Sequence, residues 1–240
     1  MISKIRYSIS RALPRKLTKY LAIRVFPEIV DFTGEVFQGI GNIWDADAEF
    51  NQIYDKVKSR ILLDKKRAFV LYQITNNCKE LDGDFAELGV YKGASSRIIY
   101  ETSDKRKDIY CFDTFNGIPD FDITKDTFQY KGFLDDVDYE DIKSFLHEKN
   151  FKLFKGVFPE SALNINKKFS FVHIDVNLYN STKDGCEYFY DRMTKGGIIL
   201  FDDYNMTYSD GVKKAVDEFF QDKKETPMIL FTGQALVCKQ

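Results

Sequence analysis

Clustered cysteines, a long apolar run and an excess of either charge are all missing from this 240-residue chain, and each absence removes a class of protein. The four cysteines, Cys78, Cys111, Cys186 and Cys238, stand far apart with no CxxC pair, and there are only two histidines. A zinc ribbon or a secreted disulfide framework is therefore excluded, and a reducing, cytoplasmic setting is expected. With 5 prolines and 14 glycines the chain is neither collagen-like nor disordered. No apolar stretch approaches the roughly 18 residues of a bilayer span, so no transmembrane segment is expected. Lys+Arg 35 against Asp+Glu 37 leaves a formal charge of −2, which supplies no field for nucleic-acid binding. What is present is 44% apolar residues, including 22 Phe and 14 Tyr, enough for one α/β domain of roughly 200 residues plus an extension.

Locally the charge is uneven. From Met1 to Val25 the basic residues Lys4, Arg6, Arg11, Arg15, Lys16, Lys19 and Arg24 meet no acid, while Ile2, Ile5, Ile9, Leu13, Leu17 and Leu21 recur at helical spacing. The interspersed charges rule out a secretory signal. A basic amphipathic helix fits, kinked or restarted at Pro14, and packed on its own domain or on a second copy in a homo-oligomer; it also suits peripheral contact with an anionic membrane. Asp45, Asp47 and Glu49 then open a helix carrying Phe50, Ile53, Tyr54 and Val57, and another helix is expected over 67–77. Residues 1–80 are thus expected to be a helical extension, a cap for substrate or dimer, and 81–240 the catalytic domain.

Beyond Leu81 strands and helices alternate. Strands are expected at Gly83–Leu88, Asp108–Asp113, Phe151–Lys155, Phe169–Asp175, Gly197–Phe201, Met228–Phe231 and Ala235–Cys238, with helices near Ala94–Thr102, Tyr139–Glu148, Thr182–Met193 and Val212–Lys223. This alternation predicts an α/β fold with a mostly parallel, seven-stranded sheet. The last two runs are separated only by Thr232, Gly233 and Gln234, which makes a hairpin rather than a crossover. An antiparallel terminal hairpin strand is the mark of the class I methyltransferase version of the Rossmann-like fold.

Ligands of open α/β sheets bind at the carboxyl ends of strands, so the residues there carry the chemistry. Gly89 and Gly93 bracket the turn after the first strand, the former allowing a sharp turn and the latter close approach of a ligand to the helix start. Asp113, at the end of the second strand, suits the two ribose hydroxyls of a nucleoside cofactor. Together these features do not separate S-adenosylmethionine from NAD. Adjacent strands ending in Asp175 and in Asp202-Asp203 would gather three carboxylates whose repulsion a hard divalent cation such as Mg²⁺ relieves. A capping role for Asp203 and a core role for His173, two residues before its strand end, remain the plain alternatives.

The segments Phe85 to Gly93, Cys111 to Pro119, Val172 to Thr182 and Gly196 to Tyr204 resemble the macrocin O-methyltransferase family, in the same order and over about residues 80–225. Members of that family are S-adenosylmethionine-dependent and metal-dependent enzymes that methylate sugar hydroxyls on natural products. The resemblance implies a cofactor site of Glu87, Gly89, Tyr91, Gly93, Ser95, Asp113, Thr114, Gly156 and Asp175, and a metal held by Asp175, Asp202 and Asp203. Candidate bases are Asp175, Asp203 and His173. Two positions depart from related enzymes: Asn177 stands where a second acid is frequent, and Leu178 where catechol-type relatives carry a lysine base. The expected function is divalent-metal-assisted O-methylation of a sugar or glycosylated small molecule. Three other readings are a metal-independent methyltransferase with a structural Asp cluster, an NAD-binding oxidoreductase, opposed by the missing GxGxxG and the hairpin, and a non-catalytic cofactor-binding subunit. The long insertion from Thr114 to Asn150, rich in acids and bearing Phe121, Phe128, Tyr130 and Phe133, suits either a solvated surface loop or a lid that recognises the acceptor.

Overall fold

The computed structural model describes residues 43–127 and 131–240. The basic segment of residues 1–25, with Pro14, lies outside the described residues, as do Phe128 and Tyr130. Contacts divide the chain into two compact units, Met1–Ala46 and Asp47–Gln240. The described end of the first is a single helical turn, α1 (Ile43–Ala46). The change from helices to alternating strands and helices near residue 80 falls inside the second unit.

Side-chain caps set where that unit's first helices begin. Asp47 accepts from the Phe50 amide at 2.9 Å and starts α2 (Ala48–Val57), so the acidic turn expected from Asp45 divides at Asp47. Asp64 accepts from the amides of Lys66 and Arg67, at 2.9 and 3.1 Å, and starts α3 (Lys65–Cys78), two residues before the run of 67–77 read from periodicity. Its buried face, including Ala68, Leu71 and Ile74, meets α4 (Ala94–Thr102) and the sheet strands β4 (Phe169–Ile174) and β5 (Met193–Phe201). Full burial of a leucine such as Leu71 contributes about 1.5–3 kcal/mol.

The sheet has seven strands in the order β3-β2-β1-β4-β5-β7-β6, where β1 is Asp84–Leu88, β2 Ile109–Asp113, β3 Phe151–Lys155, β6 Met228–Ile229 and β7 Ala235–Cys238. Strands β1 to β5 pair in parallel, and β7 runs antiparallel to β5, with Ile199 opposite Val237. All six residues of β4 are buried, as a strand covered by helices on both faces requires. Helix α5 (Tyr139–Phe145) begins at the expected cap, where Asp138 accepts from the amides of Glu140 and Asp141. The expected helix Thr182–Met193 is instead α6 (Tyr179–Tyr190), and β5 takes up Met193. Its early start has a distant cause: Asp126, in the insertion, accepts the Tyr179 amide at 2.8 Å. Helix α7 (Asp210–Phe220) packs on α6. No helix among the described residues is long and apolar enough to cross a membrane.

Candidate active site

Strand order reverses between β1 and β4, and a cavity of about 480 Å³ opens there, at the carboxyl ends of the parallel strands. Gly89, Tyr91, Ser95, Asp113, Thr114 and Gly156, all singled out from sequence, line it. Apolar walls come from Leu88, Phe112, Ile118 and Val176.

Gly89 makes the sharp turn that the motif suggested, and Gly93 has a different reason. Gly89 turns with φ +92°, and a Cβ there would sit 1.9 Å from the backbone oxygen of Asp175, so what excludes a side chain is the neighbouring strand. Gly93, at φ +80°, does not line the cavity; its missing side chain makes room for Leu146, 3.1 Å from where a Cβ would lie. Close approach of a ligand is therefore not what Gly93 provides.

Asp113 holds the glycine loop together. One carboxylate oxygen accepts from the amides of Val90 and Tyr91, at 2.7 and 2.9 Å, and the other from Phe115 at 2.7 Å. Thr114 Oγ1 also lies 3.4 Å from that second oxygen, but its proton has a nearer acceptor in the Gly117 carbonyl at 2.8 Å; of the roughly four acceptor positions of a carboxylate, one is thus open to a ligand hydroxyl. Tyr91, at φ 49°, directs its hydroxyl to Asp136 at 2.7 Å, which also takes Lys92 at 2.6 Å.

On the opposite wall Asp175, Asp202 and Asp203 bring one carboxylate oxygen each to within 4.8 Å of one another. Burial, and then the charges of Asp202 and Asp203, push the Asp175 carboxyl well above the usual carboxylate range. Burial and the charge of Asp202 likewise raise Asp203 to about 6, against the pull of Arg67 and Tyr208. No described residue donates a hydrogen bond to Asp175. Asn177, at φ 60°, accepts from the Ser209 hydroxyl at 3.0 Å and lines the cavity two residues beyond Asp175. This donor set, three carboxylates that offer only oxygen, fits a hard divalent cation.

The model of the macrocin O-methyltransferase family (TylF) matches residues 62–235. The chain belongs to the macrocin O-methyltransferase family. Among solved structures, the O-methyltransferase NovP superposes with a TM-score of 0.62 at 22% identity, covering 73% of this chain and 80% of its own. The calicheamicin methyltransferase CalS11 gives 0.63 at 16% identity, over 87% of this chain and 96% of its own. An O-methyltransferase from Bacillus cereus in complex with S-adenosylhomocysteine gives 0.53 at 10%, over 93% and 97%. No curated protein matches the chain in sequence.

As a macrocin O-methyltransferase relative, the protein is an S-adenosylmethionine-dependent O-methyltransferase, and the oxidoreductase and non-catalytic readings fall away. Besides Gly93, two residues attributed to its site do not reach the cavity. Glu87 is fully buried, accepting from Ser96 Oγ and pairing with His173 Nδ1 at 2.8 Å. His173 is itself fully buried, which removes it as a base for a substrate hydroxyl. Burial alone would lower its imidazole, but the carboxylates of Asp202 and Glu87 outweigh it and raise it to about 10. Its Nε2 is 3.8 Å from Asp202 Oδ1, an attraction between charges rather than a hydrogen bond.

Arg67 is the residue of this site that motif reading missed. Its Nη1 meets both Asp202 Oδ2 and, at 3.2 Å, Asp203 Oδ1. Desolvation works against its charge, yet Asp202 and its neighbours hold the guanidinium firmly protonated. A signal was present: Arg67 lies four, seven and eleven residues before the buried Leu71, Ile74 and Cys78, so a cation occupies a position of the apolar stripe. Gln234 was also missed; from the terminal hairpin it donates to Asp202 Oδ1 at 2.8 Å.

Proposed function

We propose that this protein transfers the methyl group of S-adenosylmethionine to a hydroxyl of a sugar or glycosylated small molecule, assisted by a divalent cation such as Mg²⁺ held by Asp175, Asp202 and Asp203. The observation that carries the reading is Asp175: a carboxylate without a protein donor, crowded by two others, on the wall of the cavity that Gly89 and Asp113 shape. The sugar acceptor is supported by family membership and by CalS11, a TDP-rhamnose 3'-O-methyltransferase.

S-adenosylmethionine supplies a methyl sulfonium. The acceptor oxygen forms the new bond to the methyl carbon as the carbon–sulfur bond breaks in line. When bound, the cation supplies Lewis-acid chemistry that favours loss of the hydroxyl proton. Asp175 or Asp203 takes that proton at a carboxylate oxygen. Asp113 keeps the amides of Val90 and Tyr91 in place and offers its remaining acceptor position to a ribose hydroxyl. Ile61, Leu62 and Leu63 contribute a wall ahead of α3, which suits the expected role of the first 80 residues as a substrate cap.

Arg67 favours a second reading, a metal-independent methyltransferase, because it already neutralises part of the cluster. One experiment separates the two. The protein is incubated with S-adenosylmethionine and a panel of sugar nucleotides and glycosides, with Mg²⁺ or with EDTA, and products are weighed by mass spectrometry. A gain of one CH₂ unit that EDTA abolishes is expected. Turnover unchanged by EDTA would remove the cation, and no methylated product from any hydroxylated acceptor would overturn the acceptor class.

A further inference from the structure

We infer that Arg67 is the resident counter-ion of the carboxylate cluster and competes with a divalent cation for Asp202 and Asp203, so that the first turn of α3 sets cation affinity. The inference rests on the cation reading above.

One nitrogen, Nη1, lies between Asp202 Oδ2 and Asp203 Oδ1, bridging two carboxylates as a divalent ion would. Each oxygen of Asp202 has one donor: Arg67 holds Oδ2, and Gln234 donates to Oδ1 at 2.8 Å. Asp203 Oδ1 also accepts from Tyr208 at 3.2 Å. Asp175 alone of the three takes nothing from the described residues. A cation that draws on Asp202 Oδ2 or Asp203 Oδ1 must share that oxygen with the guanidinium or displace it, and one held by the other oxygens still sits beside a positive charge that repels it.

Arg67 is built to yield. Its Nε is buried without a hydrogen bond, with Asp64 Oδ2 at an ion-pair distance of 3.5 Å, so the planar fork is not saturated. Its side chain lines the cavity, which gives the displaced guanidinium somewhere to go. The arrangement also explains how three converging carboxylates fold without metal: the helix brings its own positive charge to them.

The test titrates Mg²⁺ calorimetrically into wild type, Arg67→Gln and Arg67→Lys at pH 8, without cofactor or acceptor, and melts each protein in EDTA and in Mg²⁺. Arg67→Gln is expected to bind Mg²⁺ at least about tenfold more tightly than wild type, to melt lower in EDTA, and to gain more from Mg²⁺. Arg67→Lys, which keeps the charge on a more hydrated point without the fork, is expected to fall between, and serves alone if Arg67→Gln does not fold. Affinity equal to or weaker than wild type in the variants overturns the inference while leaving the cation reading intact. Binding by the variants and none by wild type upholds the inference and removes the cation from the native reaction. No binding by any of the three overturns both.

Discussion

Replacing Asp113 with Asn should destabilise the protein before any cofactor is present. The carboxylate accepts from three backbone amides, Val90 and Tyr91 on one oxygen and Phe115 on the other, at 2.7, 2.9 and 2.7 Å. Asn at this position keeps a single carbonyl oxygen. In its better orientation it retains the Val90 and Tyr91 bonds without charge assistance and sets its amide against the Phe115 N–H. Hydrogen bonds to a charged group are worth about 1.5–3 kcal/mol each, and partial exposure of Asp113 reduces the loss to about 2–3 kcal/mol in total. For a chain of this length that lowers the melting temperature by about 5–10 °C. Differential scanning fluorimetry on the cofactor-free protein measures it, and calorimetric titration with S-adenosylhomocysteine should show weaker binding as well, because Val90, Tyr91 and Thr114 line the cavity. An unchanged melting temperature combined with weakened binding would refute the reasoning, since it would mean that the carboxylate serves the ribose alone.

Asp175→Asn should lower kcat by at least about 100-fold, the low end of general-base contributions, yet stabilise the protein in EDTA by about 0.5–2 kcal/mol by relieving the crowding of three carboxylates; a melting curve and a rate measured on the same sample check both. Gly89→Ala, with its Cβ 1.9 Å from the Asp175 oxygen, should cost more than about 4 kcal/mol and yield little soluble protein, whereas Gly156→Ala, whose nearest neighbour is Ser161 Cβ at 3.6 Å, should fold with a milder loss. At Glu225, burial works toward a raised value, but Tyr190, the Gln240 amide and Lys239 hold the carboxyl down at about 2. A depressed carboxyl stabilises above its ordinary value and loses that stability as pH falls. Glu225→Gln should thus cost about 1–2 kcal/mol at pH 7, a difference from wild type that shrinks between pH 4.5 and 2 in urea melts.

The sheet was legible because period-2 apolar runs and their acidic ends survive in one dimension: β1, β2 and β3 begin and end within a residue of expectation, and the pairing of Met228–Ile229 with Ala235–Leu236 follows from a connection too short for a crossover. The convergence of Asp175, Asp202 and Asp203 was legible for the same reason, since adjacent strand ends share a rim. Contacts between distant segments were not. Arg67 meets Asp202 across 135 positions, and Asp126 caps Tyr179 across 53. Gly93 and Asp113 were identified as special but for a ligand's sake, when loop path and the packing of Leu146 already require them. His173 and Glu87 carried the right residue types for a site, but they stand opposite each other on β4 and β1 and pair there, fully buried.

The central claim is a divalent cation at three carboxylates beside a cofactor cavity. Crystals grown with S-adenosylhomocysteine and MnCl₂, and the anomalous map they give at the manganese edge, test it most directly. The account predicts S-adenosylhomocysteine beside Gly89 and Asp113 and a single strong peak coordinated by Asp175, Asp202 and Asp203, with Arg67 moved off Asp202. Cofactor bound in the cavity with no peak at these carboxylates, and Arg67 still bridging Asp202 and Asp203, would contradict it.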